Sequence, residues 1–239
     1  MGSEGSIKGR RERLRAETTA EIKKVALELM ASGGPGAITL RAIAREMGMT
    51  ANAIYSYFAT RDDLVTTLID GVYTSLADAV DAAWDAAPAG DPAARIQAWA
   101  CAFRNWALAN PEGFRLIYGD PVPGYRPPEG GAAPDAAHRL CTGITALAAA
   151  AWVHAGPHNA DSDFTWSDFA PGLLDKVRPA FPDLPPAAVA LAMRIWSRLH
   201  GLVSLEIYGH LQAQSLSPEK LFREELAQLI RSLGLEPQR

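Results

Sequence analysis

The chain has 239 residues, 48% of them hydrophobic, and a formal net charge of −4. Such a length builds one or two domains with a sizeable core, and a mildly acidic total argues against a nonspecific nucleic-acid coat. No apolar run reaches membrane-spanning length and no secretory leader pattern opens the chain, so no membrane partner and a cytoplasmic location are expected.

The charge is unevenly placed. Up to Arg61 there are ten Lys/Arg against six Asp/Glu; from Asp62 onward there are thirteen against twenty-one. The front is therefore net +4 and the remainder net −8. A basic head on an acidic body suits a protein that presents one end to phosphate. The two cysteines, Cys101 and Cys141, lack metal-type spacing and read as buried free thiols.

In chain order, Met1 to about Arg15 is a Gly, Ser and Arg-rich stretch with Lys8, Arg10, Arg11, Arg13 and Arg15. It is expected to be a disordered basic arm, either touching DNA or simply solvated. Ala16 to Ser32 is expected to be a helix, striped by Ile22, Val25, Ala26 and Leu29. Gly33, Gly34, Pro35 and Gly36 end it.

Thr39 to Leu64 is the most informative stretch: TLRAIAREMGMTANAIYSYFATRDDL. Thr39 is placed to cap a short helix to Glu46, with Leu40, Ile43, Ala44 and Met47 at helical spacing. Gly48 follows where a chain leaving a helix needs positive φ. Thr50 is placed to cap a second helix to about Phe58, with Ile54 and Phe58 inward. Ala44, Gly48 and Ile54 occupy the small, flexible and branched positions of a helix-turn-helix. The second helix shows Thr50, Ala51, Asn52, Ala53, Tyr55 and Tyr57 outward, a face that suits base edges in a major groove. With the preceding helix, the core would be Ile22, Val25, Leu29, Leu40, Ile43, Met47, Ile54 and Phe58.

The run IYSYFATRDDL, with ITLRAIAREMGMTANA before it, resembles the DNA-binding domain of tetracycline-repressor-type (TetR family) regulators over about residues 15–70. Two positions depart from the usual pattern: Ala59 stands where a basic residue is common, and Ala51 where Lys or a polar group is common. The resemblance implies that Thr50, Ala51, Asn52, Ala53 and Tyr55 face bases, and that Thr39, Arg41, Tyr57 and Arg61 face phosphates. It also implies a ligand pocket in the body and a dimer made by the last two helices as a four-helix bundle.

Beyond the head, Thr60 to about Ala87 is expected to be one long helix, capped by Thr60, with Asp62 and Asp63 in its first turn. Further helices are expected over Asp91–Asn110, Glu112–Tyr118, Asp135–Ala155, Phe164–Phe181 and Pro185 to about Leu211, with a last one starting at Ser217. There SPEKL has the pattern of a capping box. Gly119–Pro134 and Gly156–Asp163 read as loops.

The expected fold is all-α: a three-helix head over residues 1–64 and a larger helical ligand-binding and dimerisation domain over residues 65–239. Trp99, Phe103, Trp106, Phe114, Tyr118, Trp152, Phe164, Trp166 and Phe169 are either core or the wall of a pocket for a small apolar or aromatic effector. Trp196, Leu199, Val203, Ile207 and Leu211, with Leu226 and Ile230, form a candidate seam between two copies. His154 and His158 are split by Gly156–Pro157, and His138, His200 and His210 have no partner at ligand spacing. No nucleophile elbow, phosphate loop or Cys-x-x-Cys is present, so neither metal nor cofactor is expected. The reading is a regulator, most simply a repressor, binding a double-stranded operator as a homodimer. An all-helical enzyme using the aromatic cavity, or a helical scaffold, is the alternative; DNA retention in a gel shift separates them.

Overall fold

A computed structural model of the chain describes residues 3–236, with side chains described from Gly9 onward except at His158. The side chains of Lys8 and His158, both weighed above, therefore lie outside the described residues. Among the described residues every regular element is helical: α1 (Ser3–Gly33), α2 (Leu40–Glu46), α3 (Ala51–Tyr55), α4 (Arg61–Ala86), α5 (Pro92–Ala109), α6 (Pro111–Tyr118), α7 (Pro134–Ala155), α8 (Pro171–Ala180), α9 (Pro186–Ile207) and α10 (Pro218–Ser232). Short 3-10 turns lie at Pro35–Ala37, Gly156–Asn159 and Trp166–Asp168. The expected all-α class is what the chain forms.

The chain makes two compact units, Met1–Tyr73 with Asn110–Ala133, and Thr74–Ala109 with Pro134–Arg239. This division differs from the boundary expected at residue 64. The first unit also takes the next part of α4, all of α6 and the loop after α6. The reason is apolar surface: Leu116 on α6 and Val122 in the loop are buried in the same cluster as Ile22, Ile43, Ile54 and Leu68.

In the first unit, α1 begins at Ser3 rather than near Ala16. The stretch expected to be a disordered arm is helical from Ser3 onward. Its Arg and Glu residues are good helix formers and no proline interrupts them. Residues 9–17 are nevertheless exposed, and burial begins in earnest at Ile22. Thr39 caps α2 by accepting from the Ala42 amide at 3.1 Å, and Thr50 caps α3 by accepting from Ala53 at 3.2 Å. Gly48 between them has φ +63°, a conformation that costs glycine little. Ile54 is fully buried; truncating it to Ala would cost about 2–5 kcal/mol. The α-helix at α3 is shorter than expected, ending at Tyr55, and Ser56 to Phe58 continue as turn. Thr60 and Asp63 cap α4 reciprocally, each backbone amide donating to the other's side chain at 3.0 Å.

In the second unit, α7 packs on α5, α8 and α9, and α10 packs on α5 and α9. Trp99, Phe103, Leu147, Ile195 and Val203 are among its fully buried side chains. Three local expectations fail there. The helix expected over Phe164–Phe181 is a 3-10 turn followed by α8. Pro171 has no amide to donate and holds Ala170 extended, so a helix can only start there. The α9 helix stops at Ile207 rather than near Leu211, because Gly209 turns the chain with φ +78°. Ser217 does not cap α10: its side chain makes no capping bond, and its own amide donates to Ser215 Oγ at 3.1 Å.

Candidate nucleic-acid interface

The two-helix unit α2–α3 presents one continuous outer face. Thr39, Arg41, Thr50, Asn52 and Tyr55 are exposed, Tyr55 by 46%, while Ala51, Ala53 and Tyr57 are half-buried. Two capping threonines fix the starts of both helices, so the rigid part of the face is set by short-range bonds. Between the start of α2 and the end of α3 lies a hollow of about 510 Å³ lined by Thr39, Leu40, Arg41, Tyr55, Ala59, Thr60 and Arg61. Arg45 and, on α1, Arg10, Arg11 and Arg13 are also exposed in this unit.

Arg61, expected at a phosphate, is half-buried and bonded within the unit. Its Nε donates to the Ile38 carbonyl at 2.6 Å, its Nη1 to Pro123 at 2.9 Å and its Nη2 to Pro35 at 3.5 Å. The 3-10 turn, the approach to α2 and the loop after α6 leave those carbonyls without helical partners, and the guanidinium takes them. Arg61 thus clamps the unit from within.

Arg15 was expected only as part of the arm. It donates from Nη2 to the Ser56 carbonyl at 2.8 Å and lies 4.8 Å over the Tyr57 ring. The signal was available, since Arg15 precedes Ile22 by seven residues and so shares its helical face. Tyr57 is half-buried under it rather than freely displayed.

The aromatic residues expected to wall one pocket are distributed over both compact units. Phe114 and Tyr118 belong to the first unit, with ring centroids 5.0 Å apart. Burial, and then the neighbouring Tyr73, push the Tyr118 phenol far above its ordinary range. Trp99 and Phe103 stack at 5.8 Å in the second unit, and Trp196 meets Phe103 edge-on at 5.1 Å. Trp106 donates from its indole nitrogen to Ser75 at 3.0 Å. Trp166 and Phe169, with Phe164 and half-buried Trp152, form a different cluster with Val177 and Val189. A spacing argument puts aromatics inside but cannot choose which core they join. Trp99 lines a cavity of about 240 Å³ in the second unit, whose other walls are Asp81, Trp84, Arg139, Thr142, Gly143, Ala146 and Phe181.

The candidate seam between copies is also corrected. Leu199, Val203, Ile207, Leu211, Leu226 and Ile230 are buried within the single chain, and Trp196 is half-buried against Trp99 and Phe103. Side chains already covered cannot cover a second copy. The exposed face of α9 carries Met193, Ser197 and Leu205 instead, with Tyr208 just past its end, and α10 shows Leu221.

Among the described residues no group of three or more His, Cys, Asp or Glu could hold a metal, and no helix is long and apolar enough to cross a membrane. Cys101 and Cys141 are free and half-buried, and burial pushes both thiols up.

Residues 22–68 match the family model described as bacterial regulatory proteins of the tetR family, and residues 96–229 match that of the tetracyclin repressor-like C-terminal domain. The chain belongs to the TetR family of transcriptional regulators. It is 34% identical over 215 residues to the HTH-type transcriptional regulator Rv1816 of Mycobacterium tuberculosis, covering 87% of this chain and 88% of that protein. The same figures hold for the HTH-type transcriptional regulator Mb1846 of Mycobacterium bovis. The crystal structure of SCO4313 superposes with a TM-score of 0.70 at 34% identity, covering 92% of this chain and 98% of that one. A tetR-family regulatory protein from Rhodococcus RHA1 shares the fold at a TM-score of 0.61 and 21% identity, covering 91% and 97%. In this TetR-family regulator the matched N-terminal segment contains both helices of the α2–α3 face.

Proposed function

We propose that this regulator is a homodimeric repressor whose α3 helices read a palindromic double-stranded operator, and that a small molecule held in the second unit releases it. The observation that carries the reading is the α3 face. A short helix capped by Thr50 presents Thr50, Asn52 and Tyr55 to solvent, with small Ala51 and Ala53 between them. Small and hydrogen-bonding side chains without charge suit base edges, while Arg41 and Thr39 flank them for phosphate. A two-fold operator then calls for two copies, with recognition helices about one helical turn of DNA apart. The exposed α9 face supports a pairing surface: Met193, Ser197, Gly201, Leu205 and Tyr208 share one side, and a Cβ at Gly201 would meet no atom within 4 Å.

Release needs a ligand that binds the DNA-incompetent state better than the competent one; equal affinity for both shifts nothing. The deciding experiment is selection of bound fragments from the source genome, followed by a gel shift with the purified protein. Retention of a palindromic fragment at a stoichiometry of two chains supports the reading. Failure to retain any fragment above random DNA overturns it. Sedimentation of Leu205→Glu alone tests the pairing face, since a variant that stays dimeric removes that surface from consideration.

A further inference from the structure

The cavity of about 240 Å³ in the second unit has features that a packing void lacks. Trp99 on its wall is 1% exposed, and its indole nitrogen has no hydrogen-bond partner among the described residues. A buried N–H left unpaired is costly, and most native donors are satisfied. Close by is Gly143, in the middle of α7, where a Cβ would sit 3.5 Å from that same nitrogen. No crowding requires glycine there, since 3.5 Å is ordinary contact, and glycine weakens a helix interior relative to alanine. What the missing Cβ leaves is a methyl-sized space beside the unpaired donor.

The rest of the wall restricts what can fill the space. Trp84 and Phe181 join Trp99 in offering aromatic surface. Arg139 is held by Asp78 at 2.8 Å and by Asp81 at 2.7 Å, and Arg95 lies 4.8 Å over the Trp84 ring. The charges on the wall itself, the Asp81 carboxylate and the Arg139 guanidinium, therefore balance, as do Asp78 and Arg95 behind it. An ion of either sign would bring an uncompensated charge into this wall. The volume exceeds the roughly 150 Å³ of a dry cavity that takes benzene, so one or two fused rings fit.

We propose that this cavity binds a small, uncharged aromatic molecule bearing a carbonyl-type acceptor, which accepts from the Trp99 indole N–H across the space that Gly143 leaves. The assignment rests on the reading of the second unit as the effector-binding part, and it names the effector's chemical class. Gly143 is then the residue that sets specificity, because it decides whether an acceptor can reach the donor.

The test is calorimetric titration of the full chain with three probes: coumarin, naphthalene as its counterpart without an acceptor, and 2-naphthoate as a charged one. Coumarin is expected to bind about tenfold more tightly than either of the others. Trp99→Phe brings coumarin to the level of naphthalene and leaves naphthalene unchanged. Gly143→Ala weakens coumarin about tenfold while its melting temperature stays at or above that of the parent chain, which separates a blocked site from a damaged fold. Coumarin unbound at about 1 mM, bound no better than naphthalene, or bound equally by both variants overturns the proposal. A gel shift with coumarin is a separate readout. Binding without operator release leaves the cavity assignment standing and overturns only the effector reading.

Discussion

The guanidinium of Arg15 donates to the carbonyl of Ser56 at 2.8 Å, tying α1 to the end of α3. That carbonyl lies at the C-terminal end of α3, where carbonyls lack helical partners and a cation complements the helix dipole. Arg15→Ala should therefore loosen the turn from Ser56 to Phe58. Amide exchange at Tyr57 and Phe58, both bonded to Ile54, should quicken several-fold, and operator affinity should fall by up to about tenfold. Arg15→Lys should recover part of each, because a lysine can donate to the carbonyl but cannot cover the Tyr57 ring as a planar group does. Unchanged exchange at those two amides would remove Arg15 from any positioning role.

Arg61 invites the opposite experiment to the one its sequence position suggests. A phosphate contact would lower the salt dependence of DNA binding by about one unit on removal. A clamp on Ile38, Pro123 and Pro35 would instead lower stability, by about 1–3 kcal/mol for charged hydrogen bonds of this kind. Arg61→Ala should thus shift the denaturation midpoint and leave the slope of affinity against salt unchanged. A flatter slope at unchanged stability would return Arg61 to the phosphate backbone.

These two arginines mark the boundary between what was legible in the sequence and what was not. Thr39, Thr50 and Thr60 were readable as caps because a cap bonds two or three residues ahead. Gly48 was readable because the turn's φ is a local demand. The destination of a long side chain is not local: the carbonyls that capture Arg61 lie 23, 26 and 62 residues away. The same limit applies to α9. Its apolar stripe was visible, but the sequence could not say that α7 and α10 of the same chain would cover it. The choice between core and seam was decided by packing, as was the choice of cluster for each aromatic. Gly143 is the extreme case, since an absent Cβ has meaning only beside the Trp99 that α5 brings to it.

Asn52 remains exposed on α3, which is what a base-reading side chain needs. Its amide can donate to and accept from adenine in the major groove at once. Asn52→Ala should lose about 1–3 kcal/mol of discrimination at one base position and its symmetry mate, with nonspecific affinity preserved. Comparing the parent and variant on a panel of singly substituted operators measures this. Equal selectivity across the panel would exclude Asn52 from base reading.

Arg104 and Glu206 form a bidentate pair inside the second unit, at 2.7 and 2.9 Å, with side chains only 10% and 14% exposed. Arg104 also lies 5.3 Å over the Phe222 ring, so the pair joins α5, α9 and α10. Removing one partner strands a buried charge, and Arg104→Met should cost about 3–5 kcal/mol. The double variant Arg104→Met with Glu206→Leu should recover much of that, because two apolar groups replace two charges. Urea denaturation of the four-member cycle gives both numbers. A double variant as unstable as the sum of the singles would mean the two charges do not act as a pair.

His200 contributes to the acid sensitivity of stability. It sits beside the rings of Trp196 at 4.8 Å and Phe103 at 6.4 Å, with Ser204 Oγ 3.3 Å from Nδ1. Burial lowers its pKa from the usual 6.5. The unfolded chain then binds a proton at a pH where the folded chain does not, so stability rises with pH across that window. Above about pH 6.5 both states are neutral at this site and it contributes no pH dependence. As pH falls through 6.5 toward the lower folded value, stability is progressively lost. His200→Gln should therefore flatten the denaturation midpoint between pH 5 and 7, about the range in which histidine titrates. A midpoint that falls just as steeply in the variant would assign the acid sensitivity to other groups.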